Sequence, residues 1–413
     1  MMTTILAPTI AVGTIAGMLA RPWRLPEWVW ALGGAAAMVL VGAVPLDGAW
    51  IAVGQGNEVY AFLAGIMVLS EIARQQGVFA WLVEGALRAA NGSRSRLFSI
   101  VFGVGVGVTA VLSNDTTAVV LTPAVLTALA RTDADPLPYL FACAFVAGAA
   151  SFVLPISNPA NLVVFDGRLP TLLSWVAFFA ASAAVSIVLT YILLRVALRA
   201  GLQGGYTLTG EPAKLNRTGR VALIAVSVAA ALLVLANALG IPIGIVAAGA
   251  GALALAVVTA VDRHTPRYVA HHASWGMIPL VAGLFVVVAG LNAAGALLWA
   301  ERFFSFAASL TPSAGHVVVT VAVALACNLV NNLPIALFAG SAIRSVAVAP
   351  TLVHATLVAV DLGPNLSVMG SLATILWLTA LRREGIRVTP WQFFRLGAVV
   401  TLPVLLLAVL TVR

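Results

Sequence analysis

Four clusters of polar residues interrupt long apolar runs, and any chemistry the chain performs must come from them. The first is Ser113-Asn114-Asp115-Thr116-Thr117. The second, at 155–161, holds Pro155, Ser157, Asn158, Pro159 and Asn161. The third, at 328–334, holds Asn328, Asn331, Asn332 and Pro334, and the fourth, at 361–365, holds Asp361, Gly363, Pro364 and Asn365. Asn amides and Ser/Thr hydroxyls both donate and accept hydrogen bonds. Ser113, Asn114, Thr116, Thr117, Ser157, Asn158, Asn161, Asn331, Asn332 and Asn365 are therefore the candidate solute ligands. No Arg, Lys or His lies in any cluster, so a neutral, hydroxyl-rich solute suits this lining better than a dianion. Asp115 is the candidate proton carrier and Asp361 the next, because acids at membrane depth are rare and functional. The plainer alternative for Asp115 is a fixed carboxylate capping the helix that follows it.

The elements that must position these residues are too apolar for a soluble domain. Of 413 residues, 62% are hydrophobic and 9% charged, whereas soluble domains are nearer half and a quarter. A soluble enzyme, a disordered chain and a nucleic-acid binder are excluded. The 22 basic and 14 acidic residues leave a net charge of +8, carried in short loops between apolar runs. Cys143 and Cys327 lie inside such runs and define neither a disulfide framework nor a zinc site. The histidines are scattered without ligand spacing, so no metal and no cofactor is expected. Residues 1–20 show no basic start and no cleavage site, so no cleavable signal peptide is expected.

A membrane-crossing helix needs about 20 apolar residues. The expected fold is an all-α polytopic membrane protein with about ten crossings, at 3–20, 28–45, 58–74, 137–165, 171–197, 219–239, 241–261, 275–292, 349–381 and 391–411. Stretches 97–131 and 315–347 carry polar residues at their middles and read as re-entrant hairpins, each led by an amphipathic segment, 77–91 or 293–308. With the N-terminus outside, all of the 22 basic residues except Arg168, Arg302, Arg344 and Arg413 fall on the cytoplasmic side, as the positive-inside rule demands. Both termini are then outside, in a bacterial inner membrane, and the basic loops meet anionic membrane lipid.

The chain also resembles itself at an offset of about 218. Gly65-Ile66-Met67-Val68 falls on Gly283-Leu284-Phe285-Val286, Trp81 on Trp299, and Ser113-Asn114 on Asn331-Asn332. Two repeats of inverted topology follow: 1–197, with hairpin 97–131 and broken helix 137–165, and 219–413, with hairpin 315–347 and broken helix 349–381. Residues 198–218 are the cytoplasmic linker. Prolines 155, 159, 334 and 364 force breaks, and broken backbone inside a bilayer persists only around a buried or wet cavity. Inverted repeats with interrupted helices are the pattern of a secondary transporter with a midplane site.

At these clusters the chain resembles the ArsB-type arsenite permeases of the ion transporter superfamily. The most specific stretch is DLGPNLSVMGSLATILWL at 361–378, extended by WQFFR at 391–395 and TLPV at 401–404. The tip SNDTT at 113–117, PISN at 155–158 and NNLP at 331–334 match as well. The likeness runs from about residue 55 to the end, departing at Asn365 and in a short central loop. It implies efflux of arsenite and antimonite driven by inward proton flow, and arsenic resistance. It also implies that some relatives pair with a soluble ATPase; this chain has no Gly-Lys-Ser/Thr phosphate loop. At neutral pH arsenite is As(OH)3, which suits an uncharged amide and hydroxyl lining. A sodium–proton exchanger of the same superfamily is the competing expectation. A membrane-embedded enzyme is disfavoured, because no nucleophile–base pair or HExxH stands in the apolar runs.

Overall fold

The structure is a computed structural model that describes residues 2–210, 213–346 and 348–413. Residues 211 and 212 of the expected linker, and 347 at the end of the second expected hairpin, lie outside the described residues. Lipid offers no partner to a bare peptide group, so apolar sequence closes its hydrogen bonds within helices. In chain order these are α1 (Met2–Ala20), α2 (Glu27–Leu40), α3 (Leu46–Gly54), α4 (Asn57–Gln75) and α5 (Val78–Ala89). Next come α6 (Arg94–Val111), α7 (Asn114–Thr116) and α8 (Thr122–Leu129), the last two joined by one π-helical turn at Thr117–Leu121. Then follow α9 (Leu137–Ala149), α10 (Pro159–Val164) and α11 (Leu172–Ala197). The second half holds α12 (Arg217–Ala238), α13 (Ile243–Thr259), α14 (Thr265–His272), α15 (Met277–Ala293) and α16 (Leu297–Ser309). It ends with α17 (Pro312–Val330), α18 (Asn332–Ser345), α19 (Pro350–Leu362), α20 (Leu372–Arg383) and α21 (Pro390–Val409).

Local chemistry sets many of the ends. Proline stands in the first turn of α9, α10, α17, α19 and α21, where its missing N–H costs nothing. Ser93, Asn216, Ser371 and Thr389 cap α6, α12, α20 and α21 through side-chain oxygens, each satisfying an orphan N–H.

The chain is a multi-pass membrane protein. Among the described residues six helices are long and apolar enough to cross a bilayer, or seven if α3 and α4, bent by 50° at their junction, make one span. The expected crossing at 28–45 is shorter, because α2 stops at Leu40 and Gly42 turns the chain at φ 70°. Pro45 then starts α3, which the sequence reading did not foresee. The stretches 137–165 and 349–381 are each two short helices around a break.

Segment 94–133 leaves and returns to one place. The Arg94 guanidinium donates to the backbone oxygen of Asp133 at 3.0 Å, and the Tyr139 hydroxyl donates to the Arg94 carbonyl at 3.1 Å. The chain after α11 ties the two ends together. Ser93 bridges to Gly205 and Thr132 to Leu208, while Tyr206 N–H donates to Gly92 O at 2.7 Å. Thr207 N–H donates to Asp133 Oδ1 at 2.8 Å, and that bond holds the exposed Asp133 carboxyl below the usual carboxylate range. Arg131 reaches both Thr209 O (3.1 Å) and Glu84 of α5 (2.7 Å). In the second half, α17 and α18 pack on each other and both rest on α16.

The tightest crossing sets the position of α4. A Cβ at Gly65 would lie 2.1 Å from the carbonyl oxygen of Ala247 in α13, and one at Gly251 would lie 3.0 Å from Gly65 Cα. Small residues let helices approach this closely in lipid. Gly65→Ala is expected to push α4 from α13 and cost about 1–3 kcal/mol. Thermal melting of the purified protein in detergent checks this, and an unchanged melt would mean the crossing yields without cost.

Candidate functional site

The first polar tip is built by a broken helix. α6 ends at Val111, and Ser113 restarts the helix as an N-cap, its Oγ accepting from Thr116 N–H at 3.2 Å. Asn114 Oδ1 accepts from Asp115 N–H at 2.9 Å. From α4, Ser70 Oγ lies 2.6 Å from Thr116 Oγ1, so the α4–α13 crossing helps to set the tip. Thr117 turns away and bonds Thr109 Oγ1 at 2.8 Å inside its own hairpin.

The second tip is Asn331-Asn332, between α17 and α18. Asn331 sits at φ 94°, and its Oδ1 accepts from Leu333 N–H at 3.4 Å. A non-glycine residue there stores about 1–3 kcal/mol of backbone strain. Asn332 N–H donates to Gly370 O at 3.0 Å, fastening this tip to the break before α20.

The two breaks meet directly. At the α9–α10 break Asn158 Oδ1 caps Ala160 N–H at 3.0 Å, while Asn158 Nδ2 donates to Asp361 Oδ1 at 2.7 Å. Asp361 stands in the last turn of α19 and is buried, and its Oδ2 has no hydrogen-bond partner among the described residues. Asn365 Nδ2 donates to Phe145 O at 2.9 Å, and a Cβ on Gly148 would lie 2.4 Å from Asn365 Oδ1. Only glycine there lets α9 pass Asn365. Other polar groups at the breaks close backbone: Asn161 donates to Ser151 O (3.1 Å) and Pro155 O (3.3 Å), and Ser157 to Ala110 O (3.2 Å).

Two cavities organise these groups. The larger, about 490 Å³, ends against Ser113, Asp115 and Thr116 and is walled by Ser70 and Met67 of α4. Its opening carries Arg74, His272, Arg383 and Glu384. Glu71 on its wall is paired with Arg74, Nε to Oε1 at 2.9 Å. The smaller cavity, about 10 Å³, has room for about one water. It brings together Asn114 and Asn332 from the tips with Asp361 and Asn365 from the fourth cluster. Asn331 instead lines a separate narrow pocket with Met18 and Leu280. Thr117, Ser157 and Asn161 line neither of the first two cavities. Sequence reasoning missed Ser70, Thr109, Ser371 and Thr374. Ser70 carried the signal of a lone hydroxyl in an apolar run, and Ser371 that of a helix cap at a break. Among the described residues no group of three His, Cys, Asp or Glu could hold a metal, and both cysteines are free and buried.

An all-helical membrane protein whose polar tips and broken helices converge beside a cavity open to one face is a membrane transporter. The chain belongs to the CitMHS family, described as 'Citrate transporter', whose profile matches residues 15–382, and to the family of the arsenical pump membrane proteins. An arsenical pump membrane protein of Escherichia coli strain K12 is 30% identical over 431 residues, covering 99% of each chain. A second, from Escherichia coli, is 28% identical over 432 residues, again covering 99% of each. The resemblance read from the C-terminal motif is thus borne out. Among solved structures the Alcanivorax borkumensis YdaH transporter shares the fold, with a TM-score of 0.56 at 14% identity over 98% of this chain and 96% of that one.

Proposed function

We propose that the protein exports arsenite, and antimonite with it, in exchange for protons, and so confers arsenic resistance. The observation that carries this is the inner end of the large cavity, which offers Ser113, Thr116 and a single acid, Asp115, and no basic group. Such a surface suits an uncharged trihydroxide such as As(OH)3, whose hydroxyls both donate and accept. The names of the relatives support the same solute. Arg74 and Arg383 at the opening follow the positive-inside rule if that opening faces the cytoplasm, and this supports a reading with both termini outside the inner membrane. The conformation described is then open inward, ready to load from the cell interior. The paired tips and breaks support two repeats of inverted topology, and any use of ATP belongs to a separate soluble subunit.

Arsenite uptake into everted vesicles under an imposed pH gradient tests the function. Uptake indifferent to the gradient would remove proton exchange. One observation favours the competing sodium–proton exchanger: the unpartnered Asp361 Oδ2 beside a cavity lined by amides and hydroxyls. Sodium dependence of the same uptake decides between them.

Asn114 and Asn332 both line the small cavity between the tips, which has room for about one water as it stands; they are proposed to hold the solute in a later state of the cycle, when the tips have moved apart. Asn114→Ala and Asn332→Ala are each expected to weaken arsenite binding by about 0.5–1.5 kcal/mol, the worth of one hydrogen bond. Asn57→Ala, exposed at the start of α4, is the control. Equal affinity in all three, measured by calorimetry, would move the site elsewhere.

A further inference from the structure

Away from the transport site, a basic cleft lies between α5 and α12. Trp81, Gly85 and Arg88 form one exposed stripe of α5, and Lys214, Arg220 and Leu223 face them across a cavity of about 520 Å³. Among the described residues the one acid lining it is Glu84, and its charge is already answered: Oε2 takes Arg131 at 2.7 Å and Oε1 takes Arg88 at 3.2 Å. Among the described residues neither Lys214 nor Arg220 is in an ion pair. The described lining of the cleft therefore carries net positive charge, and Trp81, 39% exposed, is an aromatic side chain of the kind that sits at headgroup level.

A second feature begins one residue further along the same helix. Val221, Ile224 and Val228 of α12, with Leu253 and Val257 of α13, line an apolar groove of about 300 Å³. Ile224 is 64% and Leu253 59% exposed, so the groove opens outward. A basic cleft at the interface and an apolar groove adjoining it have the two chemistries of an anionic amphiphile.

We infer that the α5–α12 cleft and the α12–α13 groove together form a binding site for one anionic phospholipid, with the phosphate between Arg88, Lys214 and Arg220 and an acyl chain along Ile224 and Val228. Charge complementarity selects the headgroup, because juxtamembrane Lys and Arg attract anionic lipid. The site also has a structural effect. Arg88 and the Arg131–Glu84 pair connect it to the base of the first hairpin, so a seated lipid steadies α5 beneath that hairpin.

The test is native mass spectrometry of the full chain in detergent, titrated with phosphatidylglycerol, phosphatidylcholine or glycerol 3-phosphate. The wild type should retain one phosphatidylglycerol in preference to phosphatidylcholine by about thirtyfold, the preference expected from two basic side chains near anionic lipid. Lys214→Gln with Arg220→Gln should remove that preference. Arg263→Gln with Arg267→Gln, which neutralises exposed charge in the α13–α14 region, should leave it intact. Ala225→Trp, filling the groove, should weaken both lipids while leaving the headgroup preference. Equal retention of the two lipids by the wild type, or equal loss of preference in the Arg263/Arg267 pair, would overturn the site. Glycerol 3-phosphate displacing the lipid at equal concentration would make it a site for soluble anions and overturn it as well.

Discussion

Asp115→Asn is expected to fold, to reach the membrane, and to lose pH-driven arsenite efflux down to the level of vesicles without the protein. Asp115 is the one acid at the inner end of the large cavity; Glu71 on the wall is tied to Arg74, and Glu384 stands at the opening. Its counterpart in the second half by the repeat offset is Leu333, so no symmetric acid shares the task. In the proposed cycle the anion accepts arsenite from the cytoplasm, and the protonated acid lets the empty carrier return. Proton and solute then use one cavity on alternate strokes. Asparagine imitates the protonated acid and never releases a proton. Everted-vesicle uptake, with fluorescence of a lumenal pH dye, reads both arms of the exchange. A mutant that still accumulates arsenite against its gradient would shift the role to Asp361.

The second large effect concerns stability and falls on the join between the broken helices. Asn158→Ala removes the hydrogen bond that Asp361 Oδ1 receives, and Oδ2 has none to begin with. A buried acid stripped of its last partner costs about 1–3 kcal/mol, more if it is charged. Asn158 also caps α10 through Ala160 N–H, and loss of a cap costs about 1 kcal/mol. The two losses together should lower the melting point of the purified protein by several degrees. Asn158→Asp keeps the cap but sets two acids face to face, and it should also destabilise. Asn158→Ala with Asp361→Ala removes both polar partners and should recover part of the loss. The interaction energy from that cycle isolates the pair; a value of zero would show that the 2.7 Å contact contributes nothing.

The spans were legible because lipid imposes one rule on every residue of a crossing helix. The breaks were legible because Pro155, Pro159, Pro334 and Pro364 cannot continue a helix. The short helices α3 and α14 were not, since eight or nine residues of mixed polarity give too little periodic signal. Thr117 and Asn161 show the limit at the site. Residue type and neighbourhood put them with the solute ligands, but the direction of a side chain depends on which way a broken helix restarts. The π-helical turn after Thr116 rotates Thr117 toward Thr109, and no local pattern announced that turn. The contact between Asn158 and Asp361 spans 203 positions of sequence and exists only once both halves have packed.

The segment at 204–209 bears on how the molecule could be taken apart. A connector between two halves is the natural place to divide a chain for split expression, to insert a reporter, or to engineer a protease site. Here Gly205 and Leu208 are paired to the entry and exit of the first hairpin, and Tyr206 and Thr207 are bonded to Gly92 and Asp133. A cut within those residues would not separate two independent modules; it would untie the foot of the hairpin that carries Asp115. A cut placed after Lys214 keeps the tie with the first fragment, so fragment pairs divided there should reassemble where pairs divided at Tyr206 fail.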